Sequence, residues 1–99
     1  MTLILESQIK DDAAVLFCKG DLVGGNETTD LRNAVAGLLR ERDRVILDLS
    51  GVGYMNSGGL STLVGLYSTA RTSGGTIKYV NLSVAIDFSR PRSSAVRAA

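Results

Sequence analysis

Residues 54–60, which read Tyr-Met-Asn-Ser-Gly-Gly-Leu, contain the residue types best suited to chemistry in this chain. Ser57 carries a hydroxyl that can accept a phosphate, and Gly58 and Gly59 remove side chains beside it, so that another molecule can approach closely. If a helix begins here, its free backbone N–H groups favour an anion next to Ser57. The segment therefore predicts a modifiable or partner-binding serine. The same residue types also suit a plain helix cap, because Ser and Asn are good caps.

Catalytic motifs that share parts of this segment are incomplete. Gly53 and Gly58 have the spacing of a phosphate-binding Walker loop, but Gly59 stands where that loop requires Lys. A nucleophile elbow requires Gly two residues before its Ser, and Met55 occupies that position. We therefore expect Ser57 to be acted upon by another protein rather than to be a catalytic nucleophile.

The absence of histidine excludes further chemistry. The 99 residues contain no His, so neither a Ser-His-Asp nor a Cys-His relay can form, nor a zinc site that needs imidazole. Cys18 is the single cysteine and lies in an apolar run, which is typical of a small buried thiol. We expect no catalytic residue, no metal, no cofactor and no enzyme activity.

The elements that position residues 54–60 begin with two predicted strands. Leu3, Leu5 and Ile9 alternate with polar neighbours, and residues 14–18 form a compact apolar run. The short polar stretch 10–12 between them favours a hairpin turn.

Two helices are predicted by apolar spacing. The first has Asn26 as its expected N-cap and carboxylates of Glu27 and Asp30 in its first turn; its apolar face comprises Leu31, Val35, Leu38 and Leu39. The second opens near Ser57 and ends near Ser73, before Gly74 and Gly75. Its expected apolar stripe comprises Leu60, Leu63, Val64 and Tyr67, and is widened by Leu66 and Ala70.

Between the helices, residues 45–49 form an apolar run too short for a helix, and residues 50–53 have turn-forming composition. A further strand is expected over 76–80. The predicted order is β-β-α-β-α-β, an α/β fold with a mixed sheet of four to five strands and helices packed on it. In this order Ser57 is exposed where a buried strand gives way to a helix, with Asn56 beside it.

Charge and hydropathy exclude other classes of protein. The formal net charge is +1, whereas nucleic-acid binding requires a basic excess. The sequence shows no signal peptide and no apolar run long enough to span a membrane, so we expect a cytoplasmic protein that does not bind nucleic acid and has no membrane span.

Residues 45–60, together with Gly-Asp-Leu at 20–22 and Gly-Gly at 74–75, resemble the signature of STAS domains of the anti-sigma factor antagonist family. The resemblance covers roughly residues 3–83. It implies that a kinase-type anti-sigma factor binds the unmodified domain and phosphorylates Ser57, and that a phosphatase restores binding. The implied partner-binding residues are Asp21, Asn56, Ser57, Gly58 and Gly59. A non-phosphorylated STAS scaffold or transporter-associated STAS subunit is the alternative.

The sequence departs from the family pattern in two places. Asn56 replaces the family's Asp and cannot carry a negative charge beside Ser57. We also divide the chain into a STAS-like domain, 1–83, and a shortened, divergent and partly disordered C-terminal segment, 84–99, in which Val84, Ile86 and Phe88 have strand-like spacing. Shortening or loss of the C-terminal helix is expected to expose an apolar patch, which a homodimer or a folded partner would cover.

Overall fold

A computed structural model of the chain describes residues 3–87 and shows two helices packed against a mixed sheet. The elements in order are β1 (Leu3–Lys10), β2 (Ala13–Leu22), α1 (Asn26–Glu41), β3 (Arg44–Asn56), α2 (Ser57–Thr72), β4 (Thr76–Val80) and β5 (Ile86–Asp87). The predicted order is confirmed, and β5 adds a fifth strand within the segment 84–99.

The sheet places β3 in the middle. Its order is β1-β2-β3-β4, with β1 antiparallel to β2 and with β2, β3 and β4 parallel. β5 also runs parallel to β3, where it pairs with Met55 and Asn56 at the end of that strand. Strand β3 therefore carries neighbours on both sides, and its last residues lie within the sheet rather than in a free loop.

The core lies between one face of the sheet and the two helices. Leu47 and Leu49 of β3, Leu16 of β2, and Leu31 and Val35 of α1 are all at most 2% exposed. Side chains alternate along a strand, so the intervening residues of β3, such as Ile46 and Asp48, face away from this core. No helix in residues 3–87 is long and apolar enough to cross a membrane.

Helix α1 begins one residue earlier than the sequence predicts. Its N-cap is Gly25 rather than Asn26, with φ 105°. L-residues with a side chain rarely adopt this conformation, so glycine is favoured at the turn into the helix. The buried hydroxyl of Thr28 donates to the Gly25 carbonyl at 2.8 Å.

The predicted turn at residues 50–53 is wrong, because β3 runs through it without interruption. Gly51 and Val52 pair with Lys19 and Gly20 of β2, and two register shifts insert extra residues into β3. A Cβ at Gly51 would lie 2.9 Å from the Cys18 carbonyl oxygen. Glycine here therefore serves the close approach of a β-bulge rather than a turn.

The buried face of α2 is rotated from the expected stripe. Leu63 is buried as predicted, but Val64 is 61% and Tyr67 48% exposed. Leu66 and Ala70, which widen the expected stripe, are buried as predicted, and Gly59 and Thr62 complete the buried face. The first turn of α2 packs through a glycine, which an apolar-spacing argument does not count, and this contact sets the rotation of the helix.

The end of α2 follows the sequence expectation. Gly74 has φ 84°, and the Gly74 and Gly75 amides donate to the carbonyls of Arg71 and Ala70 at 3.1 and 2.9 Å. This pair of bonds is a Schellman motif, which ends the helix and redirects the chain into β4. The strand-like spacing of Val84, Ile86 and Phe88 is realised only as the two-residue β5; Phe88 lies outside the described residues.

Two titratable groups, the buried Cys18 and the half-buried Tyr79, predict a loss of stability at alkaline pH. Burial, assisted by the charge of Asp48, raises the pKa of Cys18 from 9.0 to about 12, and burial raises the pKa of Tyr79 from 10.0 to about 12. Above pH 9 the unfolded chain loses these protons first, so the folded state binds more protons and the free energy of unfolding falls as pH rises. We expect a plateau in this contribution below pH 9 and a fall between about 9 and 12.

Denaturant unfolding at a series of pH values measures this dependence. Other groups also titrate in the same range, so the matched variants Cys18→Ala and Tyr79→Phe supply the controls. Each should make the alkaline fall shallower than in the parent chain. An identical slope in all three proteins would contradict the assignment.

Candidate functional site

The site is built on the direct passage from β3 into α2. Asn56 is the last residue of β3 and the N-cap of α2, with extended backbone (φ −110°, ψ −177°). Its side-chain oxygen accepts a hydrogen bond from the Gly59 amide at 3.0 Å. Ser57 is the first residue of the helix. Asn56 therefore satisfies one of the free amides of the first turn, as a capping residue does.

Ser57 lies exposed at this helix start, as the sequence predicts. Within the part of the chain that the structure describes, its hydroxyl takes part in no hydrogen bond, so it is free to react or to contact a partner. The first turn of α2 contains no acidic residue. No side chain within that turn neutralises the positive end of the helix dipole, which favours an anion at Ser57.

The two glycines after Ser57 face inward, toward the end of β2. A Cβ on Gly59 would overlap the Leu22 carbonyl oxygen and lie 2.9 Å from its carbon, and one on Gly58 would lie 3.1 Å from the Gly24 nitrogen. Gly59 is buried. Sequence reasoning assigned these glycines to the approach of a partner. The structure shows that Gly59 lets α2 dock on the backbone of β2, and a partner contact at the two glycines stays a prediction.

Asp21 lies on β2 directly opposite Tyr54 of β3 and is half-buried. The next residue, Leu22, is the one against which Gly59 packs, so Asp21 and Ser57 belong to the same end of the sheet. All five residues implied by the resemblance are therefore gathered where β2 and β3 end and α2 begins.

Sequence reasoning missed a polar contact that joins β3 to β5 at this end of the sheet. The Tyr54 hydroxyl donates to a carboxylate oxygen of Asp87 at 2.6 Å, and this bond is the main cause of a raised pKa of Tyr54. Asp87 pairs with Asn56 in the register of β5 and β3. A carboxylate therefore lies on the strand beside Asn56, although residue 56 itself is neutral. No local pattern in the sequence joins residues 33 positions apart.

A second missed contact involves Asp48, in the middle of β3. Asp48 accepts a hydrogen bond from the Ser50 amide at 2.9 Å and one from the Asn81 side chain at 3.3 Å. These bonds, that of the Ser50 backbone first, hold the pKa of Asp48 below its usual value. Asn81 has φ 61°, a conformation that Asn tolerates better than most residues. Asp48 thus fixes the chain where it leaves β4.

The described residues offer no group of His, Cys, Asp or Glu side chains that could hold a metal ion. What the arrangement presents is a free hydroxyl on a rigid helix start, with a neutral cap and backbone amides around it. Such a surface suits recognition by another protein and acceptance of a phosphoryl group.

Comparison with known families identifies the chain. The family described as "Mlab, STAS domain" matches residues 5–96. That is nearly the whole chain, and the protein belongs to the STAS domain family.

Solved structures show the same fold. An anti-sigma factor antagonist STAS domain from Rhodobacter sphaeroides is similar with a TM-score of 0.60 and 19% identity, over 80% of this chain and 86% of that one. The unphosphorylated anti-sigma factor antagonist SpoIIAA gives 0.64 and 14%, over 96% and 94%. The phosphorylated form of SpoIIAA, from Bacillus, gives 0.60 and 13%, over 97% and 100%.

A structure of a protein called Mglu has a TM-score of 0.69 at 14% identity, over 79% of this chain. The match spans only 19% of the Mglu chain. The fold of this protein thus also occurs as one part of a longer protein.

Alanine substitutions at Gly59 and at Gly65 separate the packing role of Gly59 from the effect of helix propensity. We expect Gly59→Ala to lower the free energy of unfolding by several kcal/mol, on the order of 3 or more, because its Cβ meets backbone that cannot move aside. The matched control is Gly65→Ala in the same helix, where a Cβ meets nothing within 4 Å. It should be neutral or stabilise by about 0.5–1 kcal/mol. Denaturant unfolding compares the variants; equal effects at positions 59 and 65 would contradict the docking role.

Proposed function

We propose that this protein acts as an anti-sigma factor antagonist in a cytoplasmic partner-switching circuit. In its unmodified form it binds a kinase-type anti-sigma factor through the surface around Ser57. That kinase transfers a phosphoryl group to the Ser57 hydroxyl, the phosphorylated form is released, and a phosphatase restores binding. The family and the solved relatives support the class of protein, and the geometry of Ser57 supports the switch.

The observation that carries the proposal is the exposed, unbonded hydroxyl of Ser57 at a rigid helix start. A phosphate there adds about −1.5 to −2 charges at neutral pH. The backbone amides of the first turn favour an anion by about 0.3–1 kcal/mol, so the fold itself should be little disturbed. A partner surface complementary to the neutral form instead meets an unpaired charge, which costs several kcal/mol. SpoIIAA, which shares this fold, is known in both unphosphorylated and phosphorylated forms.

Because Asn56 is neutral, it is a poor acceptor for the proton that the Ser57 hydroxyl loses in that transfer. The Ser57 oxygen must lose its proton as its bond to phosphorus forms and the bond from phosphorus to the leaving oxygen of ATP breaks. The Asn56 oxygen already accepts from the Gly59 amide, and an amide oxygen is a poor base. We therefore propose that the kinase supplies the acceptor for this proton.

The second candidate function uses the same surface without phosphorylation. Asn56 favours this function, because residue 56 carries no carboxylate where the family pattern has Asp. In this case the protein is a constitutive STAS subunit of a larger assembly, such as a transporter. Mass spectrometry of Ser57 in protein purified from its native host separates the two: a phosphorylated fraction supports the switch, and its absence under all growth conditions supports the constitutive subunit.

The partner surface extends along α2 from Ser57. Leu60 is half-buried, and the exposed Val64 and Tyr67 follow on the same side of the helix. Arg71 lies over the Tyr67 ring at 5.9 Å and holds it in place. Apolar side chains in such a row are typical of surfaces that meet another protein. We propose that a folded partner or a second copy covers them.

Two substitutions at Ser57 test the switch. We expect Ser57→Asp to keep near-normal thermal stability and to lose about a hundredfold or more in affinity for the cognate kinase, because the carboxylate imitates part of the phosphate charge. Ser57→Ala should retain both stability and binding. Calorimetric titration with the kinase measures affinity. Equal binding by both variants and the parent would leave Ser57 as a structural helix residue.

Restoring the family's carboxylate tests the role of Asn56. Asn56→Asp keeps an oxygen to cap the Gly59 amide and adds a charge that the helix N-terminus favours. We expect faster phosphorylation of Ser57 by the kinase, followed by radiolabel transfer, with unchanged binding of the unmodified form. An unchanged rate would show that the kinase alone supplies the proton acceptor.

A further inference from the structure

Strand β1 forms an edge of the sheet with an exposed backbone. Among residues 3–87 it pairs only with β2, over all eight of its residues. It contains no proline and no irregularity in its pairing, and Ile4 and Ile9 are 52% and 42% exposed. A long, regular edge strand with exposed apolar side chains is a template for pairing with another strand.

The face of β1 that points toward the helices is only partly covered. Leu5 and Ser7 line an open groove of about 480 Å³ between β1 and α1, together with Ala34 and Leu38 of the helix. Ile9 follows Leu5 and Ser7 on the same face because side chains alternate along a strand. The polar side chains of Asn33, Arg40 and Glu41 also line the groove, so the apolar side chains of β1 on this face include Leu5 and Ile9.

We propose that β1 pairs with β1 of a second copy of this chain, antiparallel, to form one continuous sheet across a two-fold axis. A two-fold axis normal to the sheet keeps each face on its own side, so residues that lie opposite each other across the axis belong to the same face. Side chains alternate between the faces, so the axis must pass beside one residue of β1 rather than between two residues. Those centred on Glu6 and Ser7 keep most of the strand paired.

Charge decides between these two registers. Centring on Glu6 places two Glu6 side chains directly opposite each other, which is unfavourable. Centring on Ser7 places Leu5 opposite Ile9 of the other copy, on the side of the groove, so that the partly buried Leu5 and the exposed Ile9 bury apolar surface against each other. On the other face Glu6 lies opposite Gln8 of the other copy and has two diagonal neighbours there, Lys10 and Glu6. The attractive Glu6–Lys10 pair occurs twice by symmetry and the repulsive Glu6–Glu6 pair only once, so the attraction prevails. Diagonal neighbours lie about 7–8 Å apart, within reach of long side chains.

This dimer does not depend on the proposed switch. Ser57 begins the helix that follows β3, and β2 separates β3 from β1. Both copies would therefore present Ser57 at the same time, and a partner with two binding sites would gain avidity.

Cysteine cross-linking tests the contact and its register. The native Cys18 is buried, and its raised pKa of about 12 keeps it unreactive near neutral pH. In the Ser7 register, Ser7→Cys places two thiols directly opposite each other, at a Cβ separation that permits a disulfide. We expect Ser7→Cys to form a covalent dimer at least about tenfold faster than Glu6→Cys under mild oxidation, because the Glu6 side chains are not opposed. Ser68→Cys, exposed on α2, is the control for random collision.

Charge reversal with rescue gives an independent measurement on the full chain. Light scattering over a range of concentrations should show a dimer that Glu6→Lys weakens by about tenfold, because Lys then meets Lys10 of the other copy. The double variant Glu6→Lys with Lys10→Glu should restore the parent affinity. A monomer at all concentrations, faster cross-linking at position 6 or 68 than at position 7, or no rescue would overturn the proposal.

Discussion

The contact between the first turn of α2 and the end of β2 is the constraint on which the rest of the site depends. Gly59 has no side chain because the Leu22 backbone occupies the space where a Cβ would be. This contact fixes the height and rotation of α2 on the sheet, and thereby decides that Ser57 faces solvent while Leu63 and Leu66 face the core. Any larger residue at position 59 must displace the strand or the helix. The exposure of Ser57 is thus a result of packing elsewhere, and not of Ser57 itself.

Electrostatics at the helix start depends on residues from three strands. Asn56 caps α2 without charge, while Asp21 on β2 and Asp87 on β5 place carboxylates at the same end of the sheet. Asp87 is bonded to the Tyr54 hydroxyl. Negative charge is therefore present near the site but is supplied from the flanking strands, whereas the family pattern puts it directly before the serine.

Local signals in the sequence predicted the elements but not the details that arise from long-range pairing. The helix stop at Gly74 was readable because a left-handed residue after a helix has a local signature. The turn expected at 50–53 was wrong because those residues pair with β2, and no nearby residue reveals that pairing. The location of Ser57 could be predicted because the change from strand to helix is a local signal that occurs within a few residues. The inward role of Gly59 and the bond from Tyr54 to Asp87 needed the tertiary structure.

Strand β5 has a consequence for the order in which the molecule folds. The bonds from Asn81 to Asp48 and from Tyr54 to Asp87 each join residues 33 positions apart, so each closes a long loop. Closing a loop lowers chain entropy before the contact stabilises it, and such contacts tend to form late. The hairpin of β1 and β2 involves short separations and can form early. The parallel pairs of β2 with β3 and of β3 with β4 also join residues 31 to 33 positions apart, so they close loops of the same length. The end of β3 that leads to Ser57 is therefore expected to gain its neighbours together with the rest of the parallel sheet, which makes the surface around Ser57 a later product of folding than the hairpin.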